Sequence, residues 1–127
     1  MASLTGYARK KWRAQGYFVE QAEFISRAGK FTRRHDLFGF TDLVCIKEEQ
    51  IVFLQVTSWG NVSARVNKIA REAHGKGQHR TPMYDIANTL LTFGRIVVEG
   101  WKLDKNNRWV SREVEVTPLL LDSRREK

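Results

Sequence analysis

Two apolar, β-branched runs stand close together near the middle of the chain: residues 41–46, TDLVCI, and residues 51–57, IVFLQVT. Only the polar stretch KEEQ, residues 47–50, separates them. A gap that short suits a hairpin turn, so the runs predict two neighbouring antiparallel strands. Their apolar residues are nearly continuous instead of alternating, the pattern of strands covered on both faces. The remaining chain must therefore supply cover for both sides of a sheet.

Candidates for that cover flank the hairpin. In residues 4–15, LTGYARKKWRAQ, the positions Leu4, Tyr7, Ala8 and Trp12 recur at helical spacing, Arg9, Lys10, Lys11 and Arg13 crowd the other faces, and Gly16 marks the stop. Residues 17–25, YFVEQAEFI, predict a strand of imperfect alternation, and the basic stretch 26–36, SRAGKFTRRHD, predicts a loop. In residues 61–73, Val62, Val66, Ile69 and Ala73 form one face of a helix with Asn61 in the N-cap position, and Arg65, Lys68 and Arg71 lie on its other faces. Residues 74–82, HGKGQHRTP, predict a second, mobile basic loop. Residues 83–93 predict a helix closed by Gly94. RIVVEGWKL and RWVSREVEV then predict a hairpin joined through Asp104, Lys105, Asn106 and Asn107, and the closing DSRREK predicts a frayed end. With no repeat or linker, residues 1–127 read as one domain of the α/β (α+β) class, built on a mixed sheet.

Composition narrows the partners. The chain of 127 residues carries 22 Lys and Arg against 14 Asp and Glu, a formal charge of +8. Such an excess favours a polyanion, with nucleic acid ahead of an acidic membrane surface. A single cysteine, Cys45, excludes an internal disulfide and a cysteine-rich zinc site, and its apolar surroundings predict a buried thiol. No stretch resembles a signal peptide or reaches the length of a membrane span, which predicts a cytoplasmic protein with no membrane partner.

Asp42 heads the first run, and Gln55 comes 13 positions later at the end of the second. In a hairpin centred near residue 48 or 49 the two face one another. Paired oxygen ligands at adjacent strand ends suit a hard cation such as Mg²⁺. An ion there would polarise a phosphodiester and lower the pKa of an attacking water.

An Asp at a strand start, a hairpin, and then the triplet Gln55-Val56-Thr57 at the end of the next strand resembles the PD-(D/E)XK nuclease superfamily, and within it the archaeal Holliday junction resolvase-like branch. The resemblance extends over most of the chain. It implies a restriction-endonuclease-like mixed β-sheet flanked by helices. It also implies a DNA endonuclease that hydrolyses phosphodiester bonds with Mg²⁺ or Mn²⁺ and uses no small-molecule cofactor. A branched or junction substrate would imply a homodimer, since two cuts require two sites, and a phage or mobile element would suit a small nuclease of this kind. Carried over by position, Asp42 matches the metal-binding Asp, Gln55 the Glu or Asp, and Thr57 the Lys, with the backbone carbonyl of Val56 as a further metal ligand.

Two of those positions depart from the pattern. Glutamine keeps an oxygen that can bind a metal but brings no charge, and threonine cannot be the cationic group. Lys68, with Arg65 one turn earlier, is placed to take over that cationic role. The missing acid has three candidates: Asp36, Glu20 and Glu23, the last two on opposite faces of their strand. Arg33, Arg34, Lys76 and Arg80 in the basic loops, together with Arg65 and Lys68, are expected to bind the nucleic-acid backbone in a salt-dependent way.

Each residue also has a plainer expectation. Asp42 suits a turn at a strand edge, Gln55 a satisfied polar group of the sheet, Lys68 a solvated helix face, and Asp36 the turn that ends in Gly39. His35, His74 and His79 lack any metal-like spacing. Trp12, Trp101 and Trp109 are expected in the core, and Trp59, beside the strand end, either packs or stacks on a base. A second function class follows from the Gln and Thr replacements: a catalytically inactive nuclease fold that binds DNA without cutting it. A third is an RNA-acting or protein-binding accessory factor whose charge serves solubility.

Overall fold

The structure is a computed structural model and describes residues 3–22, 24–28 and 31–125, with 24–28 and 31–35 described by their backbone alone. The chain runs α1 (Leu4–Ala14), β1 (Phe18–Gln21), β2 (Phe24–Ala28), β3 (Phe31–His35), β4 (Leu43–Lys47) and β5 (Gln50–Ser58). A 3-10 turn at Trp59–Asn61 leads into α2 (Val62–Arg71), and the two-residue strands β6 (Ala73–His74) and β7 (Thr81–Pro82) enclose a second such turn. Then follow α3 (Met83–Leu90), β8 (Arg95–Leu103), β9 (Trp109–Val116) and α4 (Pro118–Arg125).

The predicted central hairpin forms: β4 and β5 pair antiparallel from Leu43 opposite Leu54 to Lys47 opposite Gln50, with Glu48 at φ 53° in the turn. They lie inside a five-stranded sheet of order β1-β4-β5-β8-β9. All neighbours are antiparallel except β5 and β8, which run parallel. A parallel pair cannot be closed by a tight turn, and α2 and α3 supply the crossover. The result is a mixed sheet in a mixed α and β domain, as expected.

Alternation along β5 explains why its apolar run is unbroken. Val52 and Leu54 face α1, packing with Ala8, Trp12, Leu43, Cys45 and Val97. Phe53 faces the opposite side, where Val62, Val66, Ile69, Ala87, Leu90 and Leu121 come from α2, α3 and α4. Burying one such side chain contributes roughly 1.5–3 kcal/mol, so each face holds its helices by many modest terms.

Several expectations are corrected. The stretch 26–36 is not a loop: β2 and β3 form an antiparallel ribbon from Phe24 opposite His35 to Ala28 opposite Phe31. A ribbon outside the main sheet needs no apolar face, so its basic residues concealed the strands. The preceding strand ends at Gln21, and one further bond in the same register follows, from the Ala22 N–H to the Asp42 carbonyl at 2.8 Å. Residues 74–82 are held by the β6–β7 pair, and the helix starting near residue 61 ends at Arg71, with Ala70 buried and Ala73 beyond it. Asn61 flanks that helix but makes no side-chain cap. The chain end is not frayed as far as residue 125: α4 packs Leu121 into the core and ties Arg124 Nη1 to Ser63 and Asn67 on α2. No helix among the described residues is long and apolar enough to cross a membrane.

Candidate functional site

Asp42 sits at a bend just before β4, half-buried and fixed through backbone and side chain alike. Its N–H donates to the Leu54 carbonyl at 2.9 Å, its own carbonyl accepts from Ala22, and Oδ2 accepts from the Val56 N–H at 2.8 Å. The carboxylate thereby replaces a backbone carbonyl at the point where the ladder leaves its regular register. Bonds to residues 54 and 56 bracket Gln55, so the expected juxtaposition of Asp42 and Gln55 is present.

Gln55 is buried, and its Oε1 finds no hydrogen-bond partner among the described residues. The expectation of a satisfied sheet amide therefore fails for that oxygen. The Thr41 hydroxyl, next to Asp42 in sequence, is also buried without a partner. Unpaired buried oxygens are uncommon because each forfeits the hydration it had in the unfolded chain. Thr57 lies on the same face of β5 as Gln55, under α2 and only 6% exposed, so the position expected to answer to a lysine is closed as well as uncharged.

The candidates for a third acid separate clearly. Glu20 is exposed and pairs with Val44, one alternation step from Asp42 along the sheet. Glu23 lies outside the described residues. Asp36 serves the turn: its carbonyl accepts from Gly39 N–H at 2.9 Å, with Phe38 and Gly39 both at positive φ. Gly39 is required there, because a Cβ would come within 2.7 Å of Met83 Cε and 2.9 Å of His74 Nδ1. Among the described residues no three of His, Cys, Asp and Glu come together to hold a metal.

Arg65 and Lys68 are half-buried on α2, on the flank opposite the Ser63 and Asn67 that meet α4. Arg71 is exposed and keeps its charge, while its Nε donates to the Arg124 carbonyl at 2.7 Å and ties α2 to α4. Lys76 and Arg80 are exposed around the 3-10 turn between β6 and β7. Arg33 and Arg34 lie on β3, whose side chains are not among those described. Trp12 and Trp101 are buried as expected, whereas Trp109 is 39% exposed and stacks at the surface on Tyr7.

The sheet's other face holds a charged centre that the sequence reading missed. Glu99 on β8 is fully buried beneath α1. Its Oε2 accepts from Lys11 Nζ at 2.7 Å and Trp12 Nε1 at 2.9 Å, and its Oε1 accepts from Trp101 Nε1 at 2.8 Å. Lys11 also reaches Ser111 Oγ and Glu113 Oε2, each at 2.9 Å. Burial works against the Lys11 charge, but its hydrogen bonds to Glu113 and Glu99, with their negative charges, outweigh it and raise its pKa above the usual 10.5. Burial, helped by the charge of Glu99, pushes the Cys45 thiol up to about 12. The signal was present: a glutamate inside the apolar run RIVVEGW, two positions from a tryptophan.

Comparison with protein-family models, with curated proteins and with solved structures finds no match.

Proposed function

We propose that this chain is a metal-dependent DNA endonuclease on a restriction-endonuclease-like sheet, acting inside the cell. One observation carries the reading. Asp42 brackets Gln55 at adjacent strand ends, and the amide oxygen there is buried with no partner among the described residues. Asp42, Gln55 Oε1 and the Val56 carbonyl would give an all-oxygen donor set, the kind a hard ion prefers. Mg²⁺ or Mn²⁺ bound there would activate water and polarise the phosphodiester. Within the chain, Asp42 supplies the only formal negative charge of that set, and Lys68 or Arg65 offsets charge on the phosphate. The mixed sheet flanked by helices, and the excess of +8, fit the same reading. A junction substrate would add the homodimer.

The test is cleavage of labelled duplex, single-stranded, nicked, flap and four-way-junction DNA in Mg²⁺, Mn²⁺ or EDTA. Asp42→Asn is the informative variant, because its amide oxygen can still accept from Val56 while the charge is gone. Metal-dependent cutting by the wild type and none by Asp42→Asn is expected. Absence of cutting in both metals would sink the proposal.

A second reading has its own support. No acid trio forms among the described residues, and Thr57 is neutral and buried. A catalytically inactive DNA-binding protein would have such a site. It would bind equally well in EDTA, and Asp42→Asn would bind as the wild type does.

A further inference from the structure

Beyond Asp42 and Gln55, the same end of the sheet carries a second group of side chains. β5 ends at Ser58, and Trp59 then crosses above Gly100 on β8. A Cβ at Gly100 would come within 2.9 Å of the Trp59 Cα and drive into Val62 Cγ2, so glycine is what lets the turn lie down on the strand. Gly100 stands between Thr57 on β5 and Arg112 on β9. Lys102, two residues further along β8, emerges on the same face.

Both cations rest on the tryptophan. Lys102 Nζ lies 4.2 Å from the centroid of the Trp59 ring and Arg112 Cζ lies 5.0 Å from it. Arg112 Nη2 also donates to the Trp59 carbonyl at 3.0 Å. Among the described residues neither cation meets a carboxylate, although Arg95 on β8 is matched by Glu115 and Lys11 on α1 by Glu99 and Glu113. Both are exposed, so two unneutralised charges are held in place before any ligand arrives. Such preorganisation reduces the ordering cost of binding an anion. With cations over the ring, Trp59 is a pedestal for charge and not a platform for a stacked base.

We infer that Trp59, Lys102 and Arg112 form a phosphate-binding step that holds the DNA backbone against the strand-end site. The inference rests on the DNA-acting reading above and extends it to a surface outside both basic loops. Two strand spacings of ~4.8 Å separate β5 from β9, so Arg112 stands ~10 Å across the sheet from Thr57. That is about three nucleotides at the ~3.4 Å rise of one strand. A strand gripped at Arg112 and Lys102 would then pass Asp42 and Gln55 with a phosphate several nucleotides further along.

The experiment measures binding of a labelled DNA duplex by fluorescence anisotropy, in EDTA, across a range of salt. The proteins are the wild type, Lys102→Gln/Arg112→Gln, Trp59→Ala, Trp59→Phe, and Lys10→Gln as an exposed control on α1. Loss of two phosphate contacts should reduce the slope of log K against log salt by about 1.8, at ~0.9 per contact. Trp59→Ala should weaken binding several-fold with the slope nearly kept, Trp59→Phe should bind like the wild type, and Lys10→Gln should change nothing. An unchanged slope in the double variant, or an equal loss in Lys10→Gln, would overturn the inference. Binding in EDTA keeps the two readings apart. A reduced slope in a protein that never cuts leaves this surface standing and removes the nuclease. A wild type that binds no DNA removes both.

Discussion

Glu99 and Gln55 lie on adjacent parallel strands, one ladder position apart and on opposite faces of one sheet. Both are polar, and both are buried. Around Glu99 every direction is answered: an ammonium, two indole N–H groups, and a second carboxylate and a hydroxyl to complete the lysine. Around Gln55 the amide oxygen is unanswered among the described residues, and a carboxylate is pinned beside it. A closed polar node has no capacity left for a ligand and serves to fix α1 on the sheet. An open one costs stability in the free protein, and that cost is the physical reason to look for function there.

The comparison can be broken most forcefully at the closed node. Glu99→Ala leaves two buried indole N–H groups without an acceptor, at about 1–3 kcal/mol each, and takes from Lys11 one of its two carboxylates, Glu113 remaining. Urea unfolding followed by tryptophan fluorescence reads this directly. Glu99→Gln should cost less, since it retains an oxygen for one indole. If Glu99→Ala unfolds at the wild-type midpoint, the node does not hold α1 and the contrast with Gln55 loses its basis.

Asp42 comes next in size. Asp42→Ala leaves the part-buried Val56 N–H without an acceptor, a loss of about 1–3 kcal/mol, whereas Asp42→Asn should recover most of it. The same pair of variants separates roles: both should abolish metal-dependent cutting, but only Ala should move the urea midpoint. Equal midpoints for Ala and Asn would mean that the carboxylate does not stand in for the missing ladder carbonyl.

Gln55 should behave in the opposite sense. Gln55→Leu removes the unpaired oxygen at similar volume, so stability should stay level or rise by about 1 kcal/mol while any metal response disappears. Gln55→Glu places a second carboxylate beside Asp42. Its melting temperature should fall in EDTA and recover on addition of Mg²⁺ or Mn²⁺, as a ligand bound to the folded state requires. A Gln55→Leu variant destabilised by several kcal/mol would show that the amide is structurally engaged.

The difference between the faces also explains what was legible in the sequence. The 41–57 hairpin, its register and the pairing of Asp42 with Gln55 follow from run length and gap length, which are local quantities. The α1 and α2 faces follow from spacing, for the same reason. The β2–β3 ribbon was hidden because Arg27, Arg33 and Arg34 interrupt any apolar alternation, and α4 because its proline, leucines and arginines sit beside a polar end. The Glu99 node joins residues 11, 12, 99, 101, 111 and 113, a relation that spacing along one element does not encode. The cation pair on Trp59 likewise depends on Gly100 admitting the turn, which appears only when the strands are paired.

A further effect is an alkaline one, and it belongs to the closed face. Burial raises the Cys45 thiol from 9.0 to about 12, with the Glu99 charge adding to it, and Lys11 is held above 10.5 by Glu113 and Glu99 against the opposing effect of burial. In both cases the folded protein keeps a proton that the unfolded chain releases. Stability from these groups is therefore full below about pH 9 and declines as pH rises towards 12, because the folded state then binds more protons than the unfolded one. The urea midpoint of the wild type should fall between pH 9 and 11. In Cys45→Val, which fills similar space without a thiol, the decline should begin only where Lys11 titrates, above pH 10.5. At pH 8 the native thiol should resist a disulfide reagent and react fully in urea. A Cys45 that reacts readily in the folded protein would show that the sheet face under α1 opens to solvent, and the closed region would then differ from the strand-end site in degree and not in kind.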